Sequence, residues 1–249
     1  MSSTPNVELV IFDMAGTTVQ DNNEVQNCFF VAAEQTGLQA SGDRVNAMMG
    51  WSKKLVFQTL WREQLGEDRP DYQQNVEVSY QRFKETLEHH YQTQLVEPTE
   101  GCLELFDWLK FEEIKIGLNT GFYREVTDII LRRLGWDKGL NSDYVGSEDS
   151  YIQVSVTPSE IYNNEGRPAP YMIQKAMYKV GIKNPQNVIV VGDTPSDLEA
   201  GLNAHCLMTL GVTNGTHRRE QLAQYPNDGL LDSLWELKEK ITGCSQELR

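Results

Sequence analysis

Four short apolar runs punctuate the chain, and each ends in a polar or glycine-rich turn: VELVIFD at 7–13, IKIGLNTG at 114–121, NVIVVGD at 187–193 and CLMTLGV at 206–212. Runs of this kind, separated by helical patterns, read as strands buried on both faces of a parallel sheet. DYVGSED at 143–149 is expected to add a weaker fifth strand. Residues 124–134 and 170–180 read as helices between these runs. The resulting βαβ succession predicts ligands at the carboxyl ends of the strands, where Asp13, Thr120 and Asp193 fall.

Residues 22–97 break the alternation. Segments 23–36, 52–64 and 71–94 set apolar or aromatic residues at helical spacing, as in Val56 with Leu60, and Tyr80 with Phe83 and Leu87. The expected architecture is α/β: a Rossmann-like parallel-sheet core, residues 1–21 and 98–249, with an inserted α-helical cap domain, residues 22–97. Pro98 and Gly101 punctuate the return to the core, and two linkers at one point predict a hinge. Tyr72, Tyr80 and Trp61 are expected in the core of the cap.

A chain of 249 residues suits one sizeable core, or a core with a small accessory domain. Its 22 Lys+Arg against 36 Asp+Glu give a net charge of −14, which repels nucleic acid and anionic membranes, so an anionic substrate must be held by local charge. No run approaches the roughly 18 apolar residues of a membrane span, and MSSTPNVE has neither the basic nor the apolar region of a secretory signal. A cytoplasmic protein is expected. Cys28, Cys102, Cys206 and Cys244 lack metal-type spacing and are expected as reduced thiols, and His89, His90, His205 and His217 likewise suggest no metal site.

The candidate chemistry lies in the order of four signals: a strand ending D-x-x-G-T at 13–17, a second ending LNTG at 118–121, Arg167 in GRPAP, and a strand running into VVGDTPSD at 190–197. Singly, each has a bland reading: a cap for Thr120, a surface charge for Arg167, a turn for GDTPSD. Together, and over the whole chain, they resemble the haloacid dehalogenase superfamily, which transfers phosphoryl groups with an aspartate nucleophile and magnesium. The resemblance implies that Asp13 attacks phosphorus while also binding Mg2+. Asp193 would be a second oxygen ligand, and Asp197 would bind or orient the ion's shell. Thr120 and Gly121 would meet phosphate oxygens, and Arg167 would balance the charge.

Phosphatases of this superfamily carry a second Asp two residues after the nucleophile, and Ala15 stands there. Only its backbone carbonyl remains as a metal ligand. One branch shares this pattern: DMAGTT at 13–18, an arginine in GRPAP, and a lysine after Met-Gly in MGWSK at 49–53 resemble the phosphonatases, or phosphonoacetaldehyde hydrolases. In that family the lysine forms an iminium with the substrate aldehyde, so the carbon-phosphorus bond breaks without an acid to protonate an oxygen. Lys53 is the candidate by position. A lysine at a helix start is usually a solvated charge, but the spacing Met49-Gly50-x-x-Lys53 reverses that preference. Lys54 must face elsewhere. Lys53 would need a lowered pKa, from apolar neighbours such as Met49 and Trp51 or from a nearby cation. The resemblance further implies that Met49, Gly50, Thr17 and Gly121 contact a small phosphonate or phosphorylated substrate, and that the protein forms a homodimer through the cap.

Three positions depart from the family: Val56 where it has histidine, Asn23 where it has cysteine, and Phe122 where it has tyrosine. They leave a related 2-oxoalkylphosphonate as an alternative substrate. Residues 150–166 look long for a loop and are expected to reshape the site. A phosphatase of phosphate monoesters and a non-catalytic phospholigand-binding protein remain the rival readings.

Overall fold

A computed structural model describes residues 6–244, and the Cys244 side chain lies outside the described residues. The first strand, β1 (Leu9–Phe12), is followed by four helices: α1 (Glu24–Thr36), α2 (Gly42–Asn46), α3 (Lys53–Leu65) and α4 (Tyr72–Thr93). The chain then alternates through α5 (Cys102–Phe111), β2 (Lys115–Asn119), α6 (Arg124–Leu134), β3 (Val154–Val156), α7 (Tyr171–Val180), β4 (Val188–Gly192), α8 (Pro195–Asn203) and β5 (Met208–Val212). It closes with α9 (Arg219–Leu222), β6 (Gly229–Leu231) and α10 (Leu237–Cys244).

All six strands pair in parallel in the order β3-β2-β1-β4-β5-β6. The side chains of β1 alternate between faces: Val10 and Phe12 join one apolar cluster, while Leu9 and Ile11 join another with Met172, Ile173 and Ala176 of α7. Both faces are therefore dry, which is why the strands read as unbroken apolar runs. The chain builds outward from β1 to β2 and β3, then reverses to β4, β5 and β6. The reversal leaves a crevice at the carboxyl ends of β1 and β4. Phe12 pairs with Val191 and with Leu118, so the residues after β1, β4 and β2 emerge side by side.

The inserted helical cap is built from α1 to α4. Residues Tyr72, Val76, Ser79, Phe83, Leu87 and Tyr91 line the buried face of α4 at spacings of three and four. Their packing centres on Phe29, Phe57 and Phe83, whose ring centroids lie 4.6, 5.6 and 6.3 Å apart. Trp61 and Tyr72 are buried with them, and Ser79 Oγ accepts a hydrogen bond from Trp61 Nε1 at 2.9 Å. The same apolar cluster continues through Tyr91 and Phe122 to Phe12 and Leu118 of the sheet. The cap is therefore joined to the core by packing as well as by its linkers.

The five helices expected from sequence, now α1, α3, α4, α6 and α7, match their spans to within a residue at each end, whereas α2, α5, α8, α9 and α10 were not anticipated. The strand expected at 143–149 is not part of the sheet. That stretch is mostly exposed and carries Asp143, Glu148 and Asp149; it makes only isolated antiparallel bridges, Leu140 to Gly146 and Val145 to Val154. The strand in its place is β3, within the stretch read as a loop, where Ile152, Val154 and Val156 are fully buried. A three-residue edge strand, β6, was too short to leave a pattern. Among the described residues no helix is long and apolar enough to cross a membrane.

Because Phe57 touches both neighbouring rings and is fully buried, Phe57→Ala should cost about 3–5 kcal/mol of stability. Urea unfolding should show this as a lower midpoint at unchanged slope.

Candidate active site

Asp13 follows β1, Thr120 follows β2 and Asp193 follows β4, all at the topological reversal of the sheet. Asp13, Ala15, Met49, Gly50, Lys53, Thr120, Gly121 and Arg167 line one cavity of about 20 Å³, joined by Val25, Phe122, Thr194 and Thr216. That volume holds about one water.

Asp13, Asp193 and Asp197 are buried, and each brings a carboxylate oxygen within 4.8 Å of the others. Arg167 is the buried cation among them. Its Nη1 donates to Asp197 Oδ1 and stands 2.9 Å from Asp13 Oδ1, which accepts no well-directed hydrogen bond. Burial pushes the Asp13 carboxyl up to about 6, with Arg167 opposing the rise and Asp193 adding to it. Asp193 is held from two sides, accepting from Thr17 Oγ1 at 3.0 Å and from the Thr216 amide at 2.6 Å. A buried set of three carboxylates, with only one guanidinium between them, fits a hard divalent cation, whose charge would relieve the repulsion. Asp197 is already engaged: its Oδ2 accepts from the Thr194 amide and hydroxyl at 3.0 and 2.6 Å, in the capping box of α8. It steadies Arg167 and the turn. Thr17, expected at the substrate, is instead fully buried against Asp193.

Lys53 opens α3 and is only 7% exposed. Its Nζ lies 5.9 Å from the centre of the Phe122 ring. Burial, and then the charge of Arg167, lower its pKa to about 8, against the opposing pull of Asp13, Asp21 and Asp193. Lys54 turns outward, 2.7 Å from Glu77 and over the Tyr80 ring. Two adjacent helical positions thus divide between solvent and cavity.

The loop before α3 is seated on the core by its backbone. Arg167 Nε donates to Gly50 O at 3.1 Å, and Ser196 Oγ donates to Met49 O at 3.4 Å. Gly50 has φ +86°, and a Cβ there would overlap Ser196 Oγ and Thr194 Oγ1. Across the seam, a Cβ on Gly121 would meet the carbonyl oxygens of Trp51 and Gly50 at 2.6 and 2.7 Å. Glycine at both positions is what lets cap and core close this far.

Thr194 and Thr216 line the cavity and were not singled out in the sequence. Thr216 lies in TNGTH just past β5, so the rule that ligands gather at strand carboxyl ends was the available signal. Of the three positions that depart from the phosphonatase pattern, Phe122 lines the cavity beneath Lys53, and Val56 is buried three residues further along α3. Asn23 is exposed on an adjacent cavity of about 250 Å³ that also holds Asp21.

The chain belongs to the haloacid dehalogenase-like hydrolases, whose family model matches residues 7–205. Among its relatives, the phosphonoacetaldehyde hydrolase of Bacillus cereus is 29% identical over 245 residues, covering 94% of this chain and 85% of that protein. That of Bacteroides fragilis is 26% identical over 256 residues, covering 98% and 92%. In fold, the chain is similar to a phosphonoacetaldehyde hydrolase-like protein from Oleispira antarctica, with a TM-score of 0.77 at 20% identity over 98% of this chain and 95% of that one.

Two measurements follow from this electrostatic arrangement. A divalent cation at about 100 times its Kd should stabilise the protein by about 2.7 kcal/mol in thermal unfolding. Asp193→Asn should abolish most of that gain. Lys53→Met should be more stable than the parent protein at pH 7, because the parent buries an ammonium whose pKa is lower folded than unfolded. That penalty is complete below about pH 8 and is relieved as pH rises from about 8 towards the ordinary value of 10.5, so the gap should narrow over that window.

Proposed function

We propose that the protein is a magnesium-dependent phosphonatase-like hydrolase that cleaves the carbon-phosphorus bond of phosphonoacetaldehyde or a related 2-oxoalkylphosphonate. The observation that carries this reading is Lys53: a buried amine of lowered pKa in the same cavity as Asp13, in a chain whose nucleophile is followed by Ala15 rather than a second acid.

The neutral Lys53 Nζ adds to the substrate carbonyl carbon, and loss of water with uptake of one proton from solvent leaves an iminium joined to the chain. An Asp13 oxygen attacks phosphorus. The carbon-phosphorus bond breaks, its electron pair flows into the iminium to give an enamine, and the phosphoryl group passes to Asp13. Water then hydrolyses the aspartyl phosphate to phosphate, while protonation of the enamine carbon and hydrolysis of the imine release the aldehyde or ketone and free the lysine. Magnesium, held by Asp13, Asp193 and the Ala15 carbonyl with Asp197 supporting the shell, would neutralise phosphoryl charge and orient the group. Arg167 offsets the charge of Asp13 from the other side. Thr120 Oγ accepts from the Phe122 amide at 3.2 Å, which leaves its own proton free for a phosphoryl oxygen. Cap closure brings Lys53 to Asp13 and excludes water from the imine. No oxygen leaving group needs a proton, so an alanine at position 15 costs this chemistry nothing.

Mixing the protein with phosphonoacetaldehyde, magnesium and borohydride should leave a reduced adduct visible by intact mass and mapping to Lys53. Lys53→Arg should give no adduct and no carbon-phosphorus cleavage while keeping cation-dependent stabilisation. Turnover retained in that variant would sink the reading. The trapping rate should rise about tenfold per pH unit and level off above about pH 8, because only the neutral amine adds.

A further inference from the structure

Lys53 borders a second space. Besides the catalytic cavity it lines a cleft of about 170 Å³ at the seam between cap and core, and Gly121 is likewise common to both. The cap side of this cleft offers Lys54 and Lys84, and the core side Tyr123, Ser159 and Asn164. Ser159 and Asn164 come from the 150–166 segment, which follows β2 and α6 and carries chain back to the site. Lys54 and Lys84 are the two ammonium groups that this cleft offers besides Lys53, and each already meets a glutamate, Glu77 or Glu125.

Its two outer lysines are loosely held. Lys54 stands 2.7 Å from Glu77 and Lys84 3.4 Å from Glu125, and both glutamates are more than 60% exposed. Pairs so exposed are weak and readily exchanged for a better-placed anion. Each ammonium also rests over a tyrosine ring, Lys54 over Tyr80 at 5.7 Å and Lys84 over Tyr123 at 4.5 Å, which fixes its position without neutralising it.

The proposed chemistry supplies the occupant. An imine carbon on Lys53 bears two further substituents, and one of them leads to phosphorus at Asp13. The catalytic cavity has room for about one water, so a longer substituent needs space elsewhere, and the cleft on the other side of Lys53 offers it. Gly121, having no side chain, does not obstruct that path. We propose that the Lys54–Lys84 cleft is a subsite for a carboxylate-bearing substituent on the substrate's carbonyl carbon, so that the protein prefers an acidic 2-oxoalkylphosphonate to the simple aldehyde. This rests on the imine reading above. It also gives the cap a reason to close on the correct substrate, since the carboxylate touches cap lysines while the phosphoryl group is held by the core.

The test compares two ketones of equal carbon count, 5-phosphono-4-oxopentanoate and 2-oxopentylphosphonate, by the concentration that half-saturates borohydride trapping in the magnesium-loaded protein. The acid is expected to half-saturate at about tenfold lower concentration. Lys54→Gln and Lys84→Gln, made separately, should each shrink that ratio towards one. Equal half-saturation of the two ketones, with both trapped on Lys53, overturns the subsite and leaves the imine reading standing. Trapping of neither ketone nor phosphonoacetaldehyde on Lys53 overturns both. If free propionate added with the neutral ketone reproduces the advantage of the acid, the cleft is an anion site separate from the substrate, and the assignment is overturned.

Discussion

Arg167 is the interaction on which the rest of the site depends. Three carboxylates are buried together at the carboxyl ends of β1 and β4, and this guanidinium reaches two of them while its Nε holds the Gly50 carbonyl of the cap. One side chain thus offsets like charges that could not otherwise share a dry pocket, and seats the loop that delivers Lys53. Its planar fork suits that double task, since a lysine could not address separate acceptors from fixed directions.

The guanidinium leaves the charge balance incomplete. Asp13 retains a raised pKa and an oxygen without a well-directed hydrogen bond, so the pocket favours a bound cation. Lys53 is held in the same pocket at the start of a helix, where burial, the Arg167 charge and the helix N-terminus all disfavour its ammonium. A carboxylate in want of a cation and an amine inclined to lose its proton are what the proposed reaction needs from opposite sides of one substrate.

Closure is written in the backbone. Gly50 packs against Thr194 and Ser196, and Gly121 against the Gly50 and Trp51 carbonyls, with no room for a β-carbon at either, and the apolar cluster runs unbroken from the Phe29, Phe57 and Phe83 rings to the sheet. The cap is therefore a packed partner of the core as well as a covering for its site. A cavity with room for about one water is the consequence.

The parallel sheet and the inserted helices were legible in the sequence because each rests on a local regularity, and the candidate site because its motifs resemble those of a known family. The apolar runs ending in Asp13 and Asp193 and the step from Met49-Gly50 to Lys53 each lie within a few consecutive residues, and the spacing along α4 repeats within one continuous helix. The β3 strand was misplaced because a three-residue strand leaves little pattern, while neighbouring DYVGSED imitates one; only burial of Ile152, Val154 and Val156 separates them. Thr17, which the family resemblance placed at the substrate, gives its hydroxyl to Asp193, a carboxylate 176 residues away. Sequence determined which groups stand at the strand ends, since backbone periodicity fixes where each run stops. Tertiary structure alone decided how those groups share space: which lysine faces in, which aspartate is already bonded, and which charges a single arginine must offset. Such facts depend on distances between segments far apart in the chain, and on the low dielectric created when they close.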